Sequence, residues 1–181
     1  MSLNKRIFIG TFLTIDIEKH LTQIKKDFGG VISGRWVKKS NLHLTFKFIG
    51  DVPVERIHAL KEVLSGIIDV DIDTEIYLKG LGVFPNINQP KILYLKVKPT
   101  KELLDIQKEV EDRLYILGFK KEIKRFIPHI TINRIKEAKI SQLMEKLQKY
   151  EEKSFGSQKR VRINIIESIL NREGAEYRPI V

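Results

Sequence analysis

Apolar and polar residues alternate along several short segments of the chain, which is the pattern of half-buried β-strands. The clearest case is residues 42–49, where the side chains divide between two faces: Leu42, Leu44, Phe46 and Phe48 on one, His43, Thr45 and Lys47 on the other. Further strands are predicted at residues 6–15, 73–83, 91–98, 126–134, 160–170 and 176–180, with a short extended piece around Trp36. The pattern therefore predicts a chain rich in strands.

Four other segments repeat their apolar residues at the three- and four-residue spacing of an amphipathic helix. They begin near Asp16, Pro53, Thr100 and Ile140. Asp16 and Thr100 have side chains that can cap a first helical turn, and Gly29 suits the end of the first helix. We therefore expect four helices interspersed among the strands.

Strands that follow one another directly in sequence favour antiparallel pairing, so the order of elements indicates an α+β fold rather than a doubly wound parallel sheet. Residues 156–158, Gly-Ser-Gln, are predicted to form a loop. No linker or low-complexity segment divides the chain, and we expect residues 1–181 to form a single domain. Each half contains a His-x-Thr strand followed by a helix, which suggests two lobes that face each other.

Composition narrows the class of protein. The 33 Lys and Arg residues against 23 Asp and Glu residues give a net charge of +10, which favours polyanionic partners such as nucleic acid. The lysines are spread along the chain, so a solubilising surface explains the charge equally well. No apolar run approaches the roughly 20 residues of a membrane span, and the N-terminus lacks the pattern of a signal peptide. Without cysteine there is no disulfide or thiolate nucleophile, and we expect a cytoplasmic protein.

Two of the four histidines lie in matching motifs, His43-Leu44-Thr45 and His129-Ile130-Thr131. Residues two apart on a strand project from one face, so each motif presents one imidazole and one hydroxyl on the same surface. The apolar residue between them faces the core. Either motif alone is typical of an ordinary strand, but two copies together indicate a catalytic pair.

The chemistry of such a pair suits displacement at phosphorus. Histidine titrates near neutral pH, so one imidazole can remove a proton from the attacking oxygen while the other protonates the leaving oxygen. Threonine hydroxyls can donate hydrogen bonds to the non-bridging phosphate oxygens. The reaction needs no metal, and neither motif is accompanied by the three ligands of a zinc site. The residues alone do not decide which histidine is the acid.

The chain resembles the two-histidine (2H) phosphoesterase superfamily, and within it the branch of RNA 2′,3′-cyclic phosphodiesterases, historically called 2′-5′ RNA ligases. The paired His-x-Thr motifs carry the resemblance, together with flanking stretches at residues 6–10, 35–52, 82–86, 118–136 and 167–177. It runs over nearly the whole chain.

The resemblance implies a bilobal α+β fold, with two antiparallel sheets that face a central cleft and helices on the outer faces. It implies opening of an RNA 2′,3′-cyclic phosphate to a 2′-phosphomonoester without cofactor or metal. His43 would be the proton donor and His129 the proton acceptor, while Thr45, Thr131 and Arg134 would bind the phosphate. Strict alternation places Arg134 on the wrong face, so a β-bulge is needed to bring it to the site.

Other functions use the same residues. Run in reverse with a 5′-hydroxyl, the chemistry becomes 2′-5′ ligation of RNA halves, and cleavage of internal linkages would make the protein a ribonuclease. A basic RNA-binding protein without turnover is a third class, although binding alone does not require two titrating imidazoles. The expected partner is RNA that ends in a cyclic phosphate, with tRNA fragments among the candidates, and the expected state is a monomer. Lys47 is expected to share the face of His43 and add positive charge.

Overall fold

The computed structural model describes residues 3–172 and 174–180. The strands in these residues are β1 (Asn4–Phe12), β2 (Ile32–Trp36), β3 (His43–Pro53), β4 (Asp71–Phe84), β5 (Ile92–Val97), β6 (His129–Ala138), β7 (Ser154–Arg162), β8 (Asn164–Asn171) and β9 (Gly174–Pro179). The helices are α1 (Glu18–Phe28), α2 (Ile57–Val63), α3 (Lys101–Ile116) and α4 (Ile140–Tyr150). The predicted alternation of strands and helices is confirmed.

The strands pair antiparallel in the order β7-β4-β5-β6-β3-β1-β8-β9, with β2 also paired to β6. Strands β3 and β6 meet through one residue pair, Leu44 opposite Ile130, whereas the other neighbours pair over several residues. The sheet therefore has two halves, each of which ends at one motif strand. This confirms the α+β fold, and the two expected sheets are joined by that single pair into one.

The junction explains how both motifs reach one surface. Leu44 and Ile130 are fully buried in the core, directly opposite each other. Because side chains alternate along a strand, the residues on either side of each one point to the other face of the sheet. The fold thus carries both His-x-Thr pairs to the same place.

The helices cover the core as their apolar spacing predicts. Helix α3 packs against β3 and β4, α4 packs against β4, and α1 contacts α4. The predicted cap of α3 is confirmed, because the Leu103 N–H donates a hydrogen bond to Thr100 Oγ1 at 3.3 Å. Asp16 Oδ1 accepts from the Glu18 N–H at 3.0 Å, at the start of α1. No helix within residues 3–172 and 174–180 is long and apolar enough to cross a membrane.

The prediction of a loop at residues 156–158 is wrong, because these residues lie inside β7. Gly156 has φ of +103° and pairs opposite Leu78, next to a register shift between β4 and β7. The glycine therefore accommodates an irregularity within the strand instead of a turn. The predicted strand at 160–170 divides at Ile163 into the ends of β7 and β8.

Candidate active site

The two motif strands border a cleft with two adjoining cavities. The larger, about 450 Å³, is lined by His43, Thr45, Thr131 and Arg134. The smaller, about 300 Å³, is lined by His129 and again by Thr45. The structure therefore brings all five residues that the sequence singled out to one cleft, with one histidine in each cavity and Thr45 in both.

Both imidazoles are held in the same way. The Nδ1 of His43 lies 2.6 Å from the carbonyl oxygen of Asn41, and the Nδ1 of His129 lies 2.7 Å from that of Ile127. A carbonyl oxygen can only accept, so each Nδ1 carries a proton. Each neutral ring then has a bare Nε2 that can accept a proton, as a general base requires, or return one, as a general acid requires.

Aromatic rings fix the orientation of each histidine. The His43 ring contacts both Phe8 and Tyr177, with centroid distances of 4.8 and 4.6 Å. The His129 ring contacts Phe84 and Tyr94 at 4.9 and 5.2 Å. Phe8 is only 2% exposed, so it supports His43 from the core. Packing of this kind holds catalytic groups close to one geometry.

Burial lowers the pKa of both histidines. The pKa of His43 falls to about 4, because burial outweighs the hydrogen bond to Asn41, and the positive charges of Arg134 and His129 lower it further. Burial also lowers the pKa of His129, against the opposing effect of its hydrogen bond to Ile127. Both imidazoles are therefore neutral at pH 7 in the free protein.

A β-bulge brings Arg134 to the cleft. Along the pairing of β5 with β6, Tyr94 is opposite Thr131 while Leu93 is opposite Asn133, so Ile132 is the extra residue. Ile132 and Asn133 are both buried, and Arg134 emerges on the same face as Thr131. The bulge that the sequence analysis required for this arginine is present.

The same irregularity occurs at the equivalent position of β3, and it reverses one expectation. Gly10 pairs with Thr45 and Ile9 with Lys47, which leaves Phe46 as the extra residue. Lys47 therefore does not share the face of His43. It points into the interior, where its Nζ lies 2.8 Å from Glu111 Oε2.

The same bulge turns the side chain of the next residue, Phe48, outward into the cleft. Phe48 is 51% exposed and lines both cavities, although strict alternation predicted that it would face the core. The Arg6 guanidinium lies over its ring at 4.9 Å. An aromatic and an arginine thus occupy the same position, five residues after the histidine, in the two motifs.

Two further cleft residues were not singled out from the sequence. Tyr177, on β9, packs against His43, and Arg35, on β2, lines the larger cavity. Both lay within stretches that carried the family resemblance, but neither belongs to a motif with a chemical signature of its own. Among the described residues, no group of three or more His, Cys, Asp or Glu side chains is placed to hold a metal ion.

Comparison with protein families gives a match in each half of the chain. The family described as LigT like Phosphoesterase matches residues 13–94 and again residues 95–176. Each match contains one His-x-Thr motif. The weak internal duplication predicted from the sequence is therefore reproduced by the family comparison.

Similar proteins extend over nearly the whole chain. An RNA 2′,3′-cyclic phosphodiesterase of Aquifex aeolicus is 34% identical over 95% of this chain and 93% of its own length. Another, of Methanocaldococcus jannaschii, is 32% identical over 97% of this chain and 98% of its own.

Solved structures share the fold. TT0787 of Thermus thermophilus superimposes with a TM-score of 0.78 at 21% identity, covering 97% of this chain and 95% of that one. E. coli LigT, in a complex with 3′-AMP, superimposes with a TM-score of 0.75 at 22% identity, covering 99% and 97%. At these identities the likeness establishes the architecture.

Proposed function

The chain belongs to the LigT-like phosphoesterase family, and we propose that it opens 2′,3′-cyclic phosphates at RNA ends to give 2′-phosphomonoesters. The observation that carries the proposal is the pair of imidazoles in two adjoining cavities that share Thr45, each with Nδ1 bound to a carbonyl and Nε2 left for proton transfer. The enzymes of Aquifex aeolicus and Methanocaldococcus jannaschii named above support the choice of substrate.

In the proposed reaction, His129 Nε2 accepts a proton from water as the water oxygen attacks phosphorus. The bond from phosphorus to O3′ breaks, and His43 Nε2 gives its proton to O3′, so that the phosphate stays on O2′. Thr45, Thr131 and Arg134 bind the non-bridging oxygens, where negative charge must be stabilised. Proton count balances, because the proton taken from water at one histidine matches the proton delivered at the other.

The charges that line the two cavities support this assignment of acid and base. The leaving oxygen belongs to the ribose, and the attacking oxygen enters from the opposite side of the phosphorus. The larger cavity, on the side of His43, has room for a nucleoside and is lined by three arginines without an Asp or Glu, whereas Glu111 and Glu122 line the smaller one. A nucleoside held there brings O3′ beside His43 and leaves His129 beside the attacking water.

The negative charge of the substrate favours the protonated form of His43 that acts as the acid. His43 is neutral at pH 7 in the free protein because burial lowers its pKa to about 4. A bound phosphate anion favours the protonated imidazole and raises that pKa again. His43 therefore acquires its proton together with the substrate and gives it to O3′, because a departing alkoxide is a much stronger base than imidazole.

Ligation is the second candidate function, and one observation favours it. The cavity beside His129 measures about 300 Å³, and Phe48, Phe84 and Phe126 line it. A water molecule occupies only about 30 Å³ of liquid volume. The cavity can therefore hold a nucleoside whose 5′-hydroxyl replaces water, which yields a 2′-5′ linkage.

The test uses a short RNA that ends in a 2′,3′-cyclic phosphate, with a chelator present. Loss of either proton transfer should lower kcat about 10²- to 10⁴-fold, so we expect this of His43→Ala and His129→Ala. His58→Ala is the matched control, because His58 is exposed on α2, away from both cavities. A 3′-phosphate product would invert the assigned leaving group, and RNA binding without turnover would make the protein a binding module. Cleavage of internal linkages would make it a ribonuclease.

We also propose that residues 1–181 act as one bilobal domain, as a monomer in the cytoplasm, on RNA fragments such as those of tRNA. The continuous core across the junction of β3 and β6 supports the single domain. One cooperative unfolding transition and a molar mass near 21.1 kDa in light scattering are the expected results. Two transitions, or twice that mass, would contradict them.

A further inference from the structure

The larger cavity carries more positive charge than one phosphate requires. Arg6, Arg35 and Arg134 line it, and no Asp or Glu does. Within the described residues none of the three arginines has a carboxylate partner, and Arg6 instead lies over Phe48. A cyclic phosphate diester carries a single negative charge, which Arg134 alone already balances. The remaining arginines are available to another anionic group.

Arg35 is placed next to the residue assigned to the reacting phosphate. It pairs directly opposite Arg134 where β2 runs alongside β6. Side chains in such a pair share a face, and like charges there destabilise a sheet. The close approach also requires Gly34, since a Cβ at this position would lie 2.2 Å from the Arg134 carbonyl oxygen. A second anion beside Arg35 would offset the repulsion.

The hairpin of β8 and β9 fixes the direction of the Arg35 side chain. A Cβ on Gly174 would lie 3.1 Å from Arg35 Nη1 and 3.4 Å from its Cδ, so the side chain lies directly on this glycine. Gly174 also has φ of +127°, which other residues rarely adopt. The guanidinium is therefore seated at the rim of the larger cavity before any ligand arrives.

We propose that Arg35 binds the phosphodiester on the 5′ side of the terminal nucleotide, so that the enzyme selects RNA ends over free cyclic mononucleotides. This inference rests on the proposed function, and the nucleoside then lies between two arginine-bound phosphates. A guanidinium suits the role because it can donate two parallel hydrogen bonds to the non-bridging oxygens.

The experiment compares two substrates with the same terminal base. One is the 2′,3′-cyclic mononucleotide, which has no 5′ phosphate; the other is the dinucleotide that ends in the same cyclic phosphate. We expect Arg35→Gln to lower kcat/KM for the dinucleotide about 10- to 100-fold, mainly through KM, and to leave the mononucleotide unchanged. Arg35→Lys should recover only part of the loss, because lysine cannot form the bidentate contact.

Arg6→Gln is the matched control, because it removes the same charge from the same cavity. If Arg6 contributes only a general field, its removal should weaken both substrates, and the dinucleotide with two negative charges only modestly more than the mononucleotide with one. An equal loss of both substrates in Arg35→Gln would overturn the proposal and assign Arg35 to the reacting phosphate. No loss of either would show that Arg35 contacts no substrate.

Binding measurements keep this test separate from turnover. The dinucleotide and the mononucleotide with uncleavable 2′-phosphate ends can be titrated at several salt concentrations. Removal of one phosphate contact should weaken the binding of the dinucleotide and reduce the slope of log K against log salt for the dinucleotide only. If wild type turns over neither substrate, the proposed function fails, while the difference in slope still decides the role of Arg35.

Discussion

The buried pair of Lys47 and Glu111 anchors the chain that leads into the second motif. Both side chains are 8% exposed, and Lys47 Nζ lies 2.8 Å from Glu111 Oε2. Lys47 Nζ also donates to the carbonyl oxygen of Lys120 at 2.7 Å, and Glu111 Oε2 accepts from the Glu122 N–H at 3.2 Å. Helix α3 and the strand of His43 thus hold the segment that ends at His129. We choose Lys47→Met as the perturbation.

The burial of the Lys47–Glu111 pair determines how much stability Lys47→Met removes. Removing one member of a buried pair leaves the other charge unpaired and costs about 3–5 kcal/mol. Each kcal/mol lowers Tm by about 2–4 °C in a domain of this size, so Lys47→Met should lower Tm by about 6–20 °C. Replacing both members with apolar residues, in Lys47→Met/Glu111→Leu, should recover most of the stability, because no buried charge is then left unpaired.

The assay is urea and thermal unfolding of wild type, the two single variants and the double variant, combined as a double-mutant cycle. Lys5 and Glu167 supply a matched control. Their ion pair has nearly the same length, 2.7 Å, but the side chains are 30% and 20% exposed. Lys5→Met should therefore cost less stability than Lys47→Met, because water reaches both charges of this pair.

Two results would refute this reasoning. If Lys47→Met loses no more stability than Lys5→Met, burial of the pair does not determine its energy. If the double variant is no more stable than the single variants, the bonds to Lys120 and Glu122 contribute more than the charge pair. A double variant that is stable but slow would indicate instead that the pair positions His129.

Two further predictions follow from buried polar groups. Because burial lowers the pKa of both histidines, His43 to about 4, the pair carries little of the required proton at pH 7 in the free enzyme. We expect kcat/KM to peak on the acid side of pH 7 and kcat to peak at higher pH, since bound phosphate raises both pKa values; a kcat/KM profile that rises from pH 7 to 9 would contradict this. Asn133 is fully buried, and its side-chain amide has no hydrogen-bond partner among the described residues. Asn133→Leu should raise the free energy of unfolding by about 1–2 kcal/mol in urea titrations, whereas a loss would indicate that a bridging water satisfies the amide.

The sequence pattern predicted those features of the structure that depend only on residues close together in the chain. The His-x-Thr pairs follow from the two-residue period of a strand, and the Thr100 cap and the apolar stripe of α1 follow from helical geometry. The two bulges arise differently, from pairing with strands that are distant in sequence. The sequence prediction assumed regular alternation through Phe46, where the bulge lies, and therefore placed Lys47 and Phe48 on the wrong faces.

Arg35 shows the same limit more strongly. Its role depends on an arginine on β6, 99 positions later in the sequence, and on a glycine of the β8–β9 hairpin that is later still. The residue spacing around Arg35 therefore could not predict that it would contact either neighbour. Arg134 could be proposed only because the resemblance named it, and the required bulge was then a geometric consequence that the structure could test.

The duplicated fold also explains how a nearly symmetric site can drive a directional reaction. Both motifs have the same hydrogen bond at Nδ1 and the same bulge, three residues after the histidine. The histidines alone therefore do not distinguish the attacking side from the leaving side. The bulges expose different residues, Phe48 from one motif and Arg134 from the other, and the arginines gather in the cavity of His43. In the proposed mechanism, positive charge holds the nucleotide there, so asymmetry in substrate binding, added to a symmetric pair of bases, determines which histidine becomes the acid.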